Sequence, residues 1–272
     1  MFEYTAPADL LTGRVILITG AGDGIGRACA LSCAAHGATV VLVGRTQSKL
    51  EEVYDAIEAA GHPQPALCPL NLETATEKDY EDLADQLFDT FGKLDGLVHN
   101  AAELGPRTLL DGVKPEAWLR VMQVNVNAPF MLTRAMMPLL RAAEDASVLL
   151  LSSSVGRKGR AYWGPYAVSK FAVEGMMQVL ADEQDGTSNI RVNSVHPGGI
   201  DTGMMRSIAA RYVELGAAPD VDTALANVAT RHPIGRMGRP DELAGGVVFL
   251  CSDAASFMTC EELNIDGGYV FT

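Results

Sequence analysis

Short apolar runs recur along this chain, each followed by a longer stretch in which apolar positions return at helical spacing. The runs are RVILITG (14–20), ATVVLVG (38–44), ALCPLNL (66–72), LDGLVHNA (94–101), SVLLLSS (147–153) and IRVNSVH (190–196). Amphipathic segments at 24–36, 47–60, 76–91, 115–142 and 164–184 lie between or after them. A further helical segment, 240–252, precedes a last strand, ELNID. Strands buried on one face alternate apolar and polar residues, whereas strands covered on both faces are apolar almost throughout, as these are. Strand–helix alternation with such strands predicts one α/β domain spanning 1–272, a doubly wound parallel sheet of about seven strands with helices on both faces. Segment 202–232 breaks the rhythm. It is rich in Met and Ala, has no clear strand, and reads as a helical flap inserted near the C-terminus.

Composition narrows the partners. A formal charge of -13 argues against nucleic acid and against an anionic membrane, since both demand an excess of Lys and Arg. No run approaches the length of a membrane span, and MFEYTAPADLLTG lacks a basic region followed by an apolar one. The five cysteines form no CxxC pair, and Cys29 and Cys33 share a helix face that suits a core. The histidines show no ligand spacing, so no metal is expected. The expectation is a reduced, cytoplasmic protein acting on a small molecule.

The first strand runs into a turn carrying Gly20, Gly22, Gly24 and Gly26, with Asp23 and Ile25 between them, and then into a helix. Glycines there permit positive φ and close approach of a pyrophosphate, and the helix N-terminus offers N–H groups to hold it. The form T-G-x-x-x-G-x-G excludes an ATP-type P-loop, although a plain tight turn would also use glycine. At the end of the second strand an acid would bind the ribose of NAD. Arg45 and Thr46 stand there instead, a guanidinium and a hydroxyl suited to the 2′-phosphate of NADP. NADP(H) is therefore favoured and NAD(H) kept as the second choice, because Asp23 adds a negative charge near that pocket.

The stretch SSSVGRKGRAYWGPYAVSK (152–170) holds the candidate chemistry. Tyr166 and Lys170 are four apart on one helix face, so an ammonium would favour the phenolate and lower the tyrosine pKa toward working pH. A lone Y-x-x-x-K arises by chance about 0.15 times in a chain of this composition. Here it stands in order with TGAGDGIG (19–26), HNAA (99–102), NVNAPF (125–130) and HPGGIDT (196–202). With these five motifs the chain resembles the short-chain dehydrogenase/reductase family in its classical form, over essentially its whole length. His99 and Ala102 depart from the family's usual Asn and Gly.

The resemblance implies a catalytic tetrad of Asn125, Ser153, Tyr166 and Lys170. Tyr166 would exchange a proton with the substrate oxygen, Ser153 would stabilise charge developing there, Lys170 would also bond the nicotinamide ribose, and Asn125 would order a relay water. It also implies cofactor contacts from Asn71, where the family usually has Asp, and from Leu72, Asn100, Ala101 and Ala102. Pro197, Gly198, Ile200 and Thr202 would face the nicotinamide end. A homotetramer follows from the same resemblance, pairing helices 115–142 and 164–184 across one interface.

The substrate pocket should be closed by the flap. Met204, Met205 and Ile208 recur at helical spacing, which suits either core packing or a lid over an apolar ligand. Ser154, Tyr162 and Trp163 would complete its walls. Arg157, Lys158 and Arg160 read as a solvated loop, so no phosphate-binding cluster is expected. A neutral apolar ketone or secondary alcohol, cyclic, aryl or steroid-like, is the expected substrate. A 3-oxoacyl thioester reductase and an NAD(H)-dependent cyclic-alcohol or hydroxysteroid dehydrogenase are the competing activities, and a cofactor-sensing binding protein is the non-enzymatic one. Up to about residue 195 the chain resembles a proteobacterial subgroup of the family, and beyond it the cyclic-alcohol and hydroxysteroid dehydrogenases. That change suggests a recombined chain with its junction near 190–200.

Overall fold

The computed structural model describes residues 7–184, 186 and 189–269; the first six residues and 270–272 of the expected domain lie outside this range. Seven parallel strands form one sheet in the order β3-β2-β1-β4-β5-β6-β7: β1 Val15–Thr19, β2 Thr39–Gly44, β3 Ala66–Pro69, β4 Gly96–His99, β5 Ala146–Leu151, β6 Ile190–Pro197 and β7 Glu262–Ile265. The strand order reverses between β1 and β4, so loops leaving their C-terminal ends diverge and open a crevice.

Burial explains the apolar runs. Every residue of β1, β4, β5 and β6 is buried, because helices cover the sheet on both sides. On one face pack α1 (Gly24–Ala35), α2 (Gln47–Ala59) and α9 (Pro240–Leu250). On the other pack α3 (Glu77–Phe91), α5 (Ala128–Ala142) and α6 (Gly164–Asp182). Cys29 and Cys33 fill the first of these cores, and burial drives both thiols well above their usual range.

Local chemistry sets the helix ends. The Asp23 carboxylate accepts from Gly24 N at the start of α1, and Thr76 with Asp79 forms a capping box on α3. Gly92 stops α3 in the left-handed region at φ 71°. Asp95 is a structural acid: it accepts from Val15 N at 2.8 Å and from Lys93 Nζ at 2.9 Å, tying the start of β4 to β1.

The helix expected over 115–142 is interrupted. It is α4 (Pro115–Met122), a π-turn over Gln123–Asn127, and α5. The flap is a helical pair, α7 (Gly203–Glu214) and α8 (Val221–Ala229), with its own small core of Ala209, Ala218, Ala224 and Leu225. Among the described residues no helix is long and apolar enough to cross a membrane.

Candidate active site

The crevice between β1 and β4 continues under the flap as a cavity of about 530 Å³. The glycine loop forms its floor. A Cβ on Gly26 would lie 2.2 Å from Gly20 O, and one on Gly20 would lie 2.8 Å from Asn100 Nδ2, so backbone and side chain already occupy the space a larger residue needs. Gly20 and Gly24 have φ of 68° and 51°, which only glycine adopts without strain. Asn100 anchors the loop by donating from Nδ2 to Thr19 O at 2.9 Å, while the Thr19 hydroxyl accepts from the amides of Asn100 and Ala101. Gly22, Ile25, Ala101 and Ala102 line the same space.

Arg45 and Thr46 stand exposed at one rim, beside Asn71 and the buried Leu72. Among the described residues Arg45 has no ion-pair partner. Asp23, the residue that counted against a phosphate, pairs with Lys49 Nζ at 2.5 Å, and this contact holds its carboxyl below the usual range. Lys49 was missed in the sequence because it sits 26 residues away on another helix. The rim thus carries the cations Arg45 and Lys49 and the acids Asp23, which Lys49 neutralises, and Glu73, so with a free guanidinium at the strand end the residues fit a dinucleotide with an extra phosphate.

Further along, β5 and α6 bring the predicted catalytic groups together. Ser153 follows β5 at the start of the 3₁₀ turn Ser154–Gly156, where its hydroxyl accepts from Val155 N at 3.4 Å and acts on the Tyr166 phenol. Lys170 is 3% exposed, lies 5.6 Å from the Tyr166 ring centroid and donates to Leu151 O at 2.5 Å. The expected depression of the Tyr166 pKa by Lys170 is not what this geometry produces. Burial pushes the phenol up to about 12, opposed only by the Ser153 hydroxyl, while burial draws Lys170 down to about 8 against the pull of Glu174.

Asn125 sits in the π-turn, fully buried. Its amide donates to Glu103 O at 3.0 Å and Ser169 Oγ at 2.9 Å, and its carbonyl accepts from Glu103 N at 2.7 Å. Ser169 Oγ donates onward to Tyr166 O at 2.7 Å. The π-turn therefore aims Asn125 at the helix carrying Tyr166 and Lys170. The neighbouring His99, held by Thr133 at 2.8 Å, is pushed down to about 3 by burial and stays neutral.

Pro197, Gly198, Ile200 and Thr202 form the wall after β6. The Thr202 hydroxyl caps α7, accepting from Met205 N at 3.3 Å and donating to Ile200 O at 3.3 Å, and its methyl faces Gly24. Ser154, Trp163, Met204, Met205 and Ile208 line the cavity as expected. Tyr162 does not. It sits at φ 69° in the turn before α6, exposed and outside the lining, because that turn carries its neighbour Trp163 inward instead. Core packing and cavity lining coexist in the flap: Ile208 is buried, Met205 packs on the flap core, and Met204, Met205 and Ile208 all line the cavity.

Tyr212, Val228, Arg231 and Tyr269 also line it and were not foreseen, since they lie far apart and match no motif. The loop 157–160 is not simply solvated: Arg157 pairs with Glu262, and Arg160 stacks over the Tyr269 ring.

A nucleotide-shaped crevice at the switch point, with Tyr166, Ser153 and Lys170 at its inner end, is the arrangement that the five motifs imply. A family model described as enoyl-(acyl carrier protein) reductase matches residues 20–270. The chain is a short-chain dehydrogenase/reductase. It is 48% identical over 205 residues, 75% of this chain and 81% of the other, to the uncharacterized oxidoreductase YciK of Escherichia coli K12. The 3-oxoacyl-[acyl-carrier-protein] reductase FabG of Thermotoga maritima is 35% identical, covering 96% of this chain and 99% of its own. The cyclohexanol dehydrogenase of Acinetobacter sp. SE19 is 34% identical over 94% of each. Among solved structures, a short chain dehydrogenase from Pseudomonas syringae is similar with a TM-score of 0.83 and 48% identity, over 97% of this chain and 99% of that one. Another, from Shigella flexneri 2a and complexed with NADP, has a TM-score of 0.82 and 39% identity over 94% and 98%. Structures complexed with NADP or NADPH among these neighbours support NADP(H) binding in this part of the family.

Proposed function

We propose that this oxidoreductase is an NADP(H)-dependent carbonyl reductase acting on a neutral, mostly apolar ketone, and that it oxidises the matching secondary alcohol in reverse. The observation that carries the reading is the Tyr166 phenol: it is protonated at neutral pH, acted on by the Ser153 hydroxyl, and set in a cavity whose lining includes the apolar Trp163, Met204, Met205, Ile208 and Val228. A protonated phenol is a donor, which suits reduction of a carbonyl. Glycine loop, Arg45 and Lys49 fit the phosphates, and the bound cofactor supplies a hydride. Tyr166 gives its proton to the substrate oxygen, Ser153 bonds that oxygen as charge develops, and Lys170 holds positive charge beneath the ring. Asn125 keeps the Glu103 backbone and Ser169 in register behind them.

The kinship with a cyclohexanol dehydrogenase supports a cyclic or aryl-alkyl ketone. The kinship with a 3-oxoacyl reductase supports the thioester reading, and the arginines near the cavity, Arg107, Arg160 and Arg231, are the observation in its favour. Oxidation of NADPH and of NADH is measured in parallel against cyclic, aryl-alkyl and steroid ketones and an acetoacetyl thioester. Turnover of ketones with NADPH is expected. Turnover of the thioester alone would replace the substrate class, preference for NADH would overturn the cofactor, and binding without turnover would restore the cofactor-sensing alternative.

A further inference from the structure

Behind Ser153 and Lys170 lies a buried cluster of charges that the steps above do not use. Glu174 stands one turn beyond Lys170 on α6, and His196 lies near the end of β6; both are buried. His196 Nδ1 is 3.0 Å from Ser153 O, and Nε2 is 2.9 Å from Glu174 Oε1. A carbonyl oxygen can only accept, so Nδ1 donates to Ser153 O and ties the end of β6 to the main chain of Ser153, while Nε2 turns toward the Glu174 carboxylate. Ser194 Oγ donates to Glu174 Oε2 at 2.8 Å. Burial would raise the Glu174 pKa, yet His196 and the hydroxyls of Ser152 and Ser194 outweigh it and hold it below the ordinary value.

From β7, Glu262 Oε2 lies 3.8 Å from Nε2 and is itself paired with Arg157. Glu174, His196 and Glu262 gather within 4.8 Å, and the cation on their outer side is the Arg157 guanidinium. Each carboxylate then has a cation near it, Arg157 against Glu262 and Lys170 one helical turn from Glu174, with His196 between the two carboxylates. A buried charge is tolerated when an opposite one faces it, and here each has such a neighbour.

We propose that Glu174 and His196 are positioning residues, which fix the main chain of Ser153 through its carbonyl and keep Lys170 in its ammonium form beside Tyr166. The groups facing Lys170 are few. Tyr166 and Glu174 come from its own helix and His99 from β4, with His196, Glu262 and Arg157 behind Glu174. Tyr166, pushed up to about 12, and His99, pushed down to about 3, are both neutral near pH 7. Glu174 is thus the charge that opposes the effect of burial on Lys170. Removing it leaves burial unopposed.

The test reads Lys170 directly, through the pH titration of its ¹³Cε resonance in protein labelled at lysine, assigned by its loss in Lys170→Arg. Glu174→Gln is expected to move the midpoint down by at least about half a unit, and Glu174→Asp, which keeps the charge, to stay near the wild type. An unchanged midpoint in Glu174→Gln overturns the electrostatic role, and if that variant does not fold, a displaced midpoint in Glu174→Asp does the same. The second arm is kinetic and rests on the reductase reading. The high-pH limb of NADPH-dependent reduction should move down with the NMR midpoint in Glu174→Gln, and His196→Asn should lower kcat about tenfold or more with the NADPH dissociation constant unchanged. Full kcat in His196→Asn overturns the hold on Ser153. A wild type that reduces no ketone defeats the reductase reading, and the NMR arm then decides the inference by itself.

Discussion

Tyr166 and Arg45 carry the two chemical claims at the scale of single residues, and each separates binding from turnover. Tyr166 is the group able to give a proton to the substrate oxygen, so Tyr166→Phe should lower kcat by about 10³-fold, within the range general acids contribute. NADPH affinity, followed by nicotinamide fluorescence, should hold, because glycine loop and rim are untouched; retained turnover would remove the acid from its role. Arg45 is exposed at the rim with no ion-pair partner among the described residues, and a guanidinium–phosphate bond is charge-assisted. Arg45→Ala should raise the NADPH dissociation constant about tenfold or more and leave that of NADH nearly unchanged. An equal effect on both would mean that Arg45 does not read the 2′-phosphate. These two residues were legible in the sequence because their spacing from a strand end or along one helical turn is local. The direction of the Tyr166 pKa was not, since it depends on burial by residues from β5, α6 and the loop after β4.

At the scale of elements, the helix N-termini show how a few polar groups hold the framework beside the cavity. Glu242 in the first turn of α9 accepts from both terminal nitrogens of Arg236 at 2.6 and 2.8 Å and from Arg239 N at 2.8 Å. The Arg236 guanidinium, then the Arg239 amide, lowers its pKa from 4.5 to about 2. A carboxyl whose folded pKa is depressed adds stability that is complete above its unfolded pKa and is lost as pH falls through the folded one. The difference in Tm between wild type and Glu242→Gln should therefore be present at pH 6 and shrink between about pH 4.5 and 2. A difference that does not depend on pH would mean that packing, not the ionised carboxylate, is responsible. The flap is the element least readable from the chain. Its Met, Ile and Ala spacing foretold a helix, yet a turn at 215–220 splits it into α7 and α8, and only their packing brings Tyr212, Val228 and Arg231 to the cavity. Arg107 closes this arrangement from the loop after β4, lying 3.8 Å over the Trp163 ring and donating to the Tyr212 hydroxyl at 3.1 Å.

For the whole molecule, the described surface of α5 and α6 leaves Phe130, Val168, Phe171 and Val179 exposed. Large apolar side chains on two adjacent helices suit an interface, which supports the homotetramer proposed from the family resemblance. Phe171→Glu should shift the mass measured by multi-angle light scattering to a smaller species, with secondary structure by circular dichroism unchanged. A wild-type monomer, or an unaltered mass in the variant, would discard that interface. The net charge of -13 belongs to this scale as well, and counts against nucleic acid as a partner.

The sequence by itself determined what depends on neighbours along the chain. Apolar runs of strand length between amphipathic segments specify a parallel sheet covered on both faces; glycines placed after β1 specify the nucleotide turn; Tyr166 and Lys170 share a face because one helical turn separates them. The tertiary structure decided whatever depends on residues remote in sequence. Lys49 neutralises Asp23 from another helix, and Trp163 lines the cavity where Tyr162 does not. The π-turn that buries Asn125 forms in the middle of an uninterrupted amphipathic pattern. Glu174, His196 and Glu262 come from a helix and two strands, and meet only because β6 lies between β5 and β7 in the sheet. Periodicity records which face of an element is buried, but the charges and contacts that face it come from other elements, and these set the chemistry of the site.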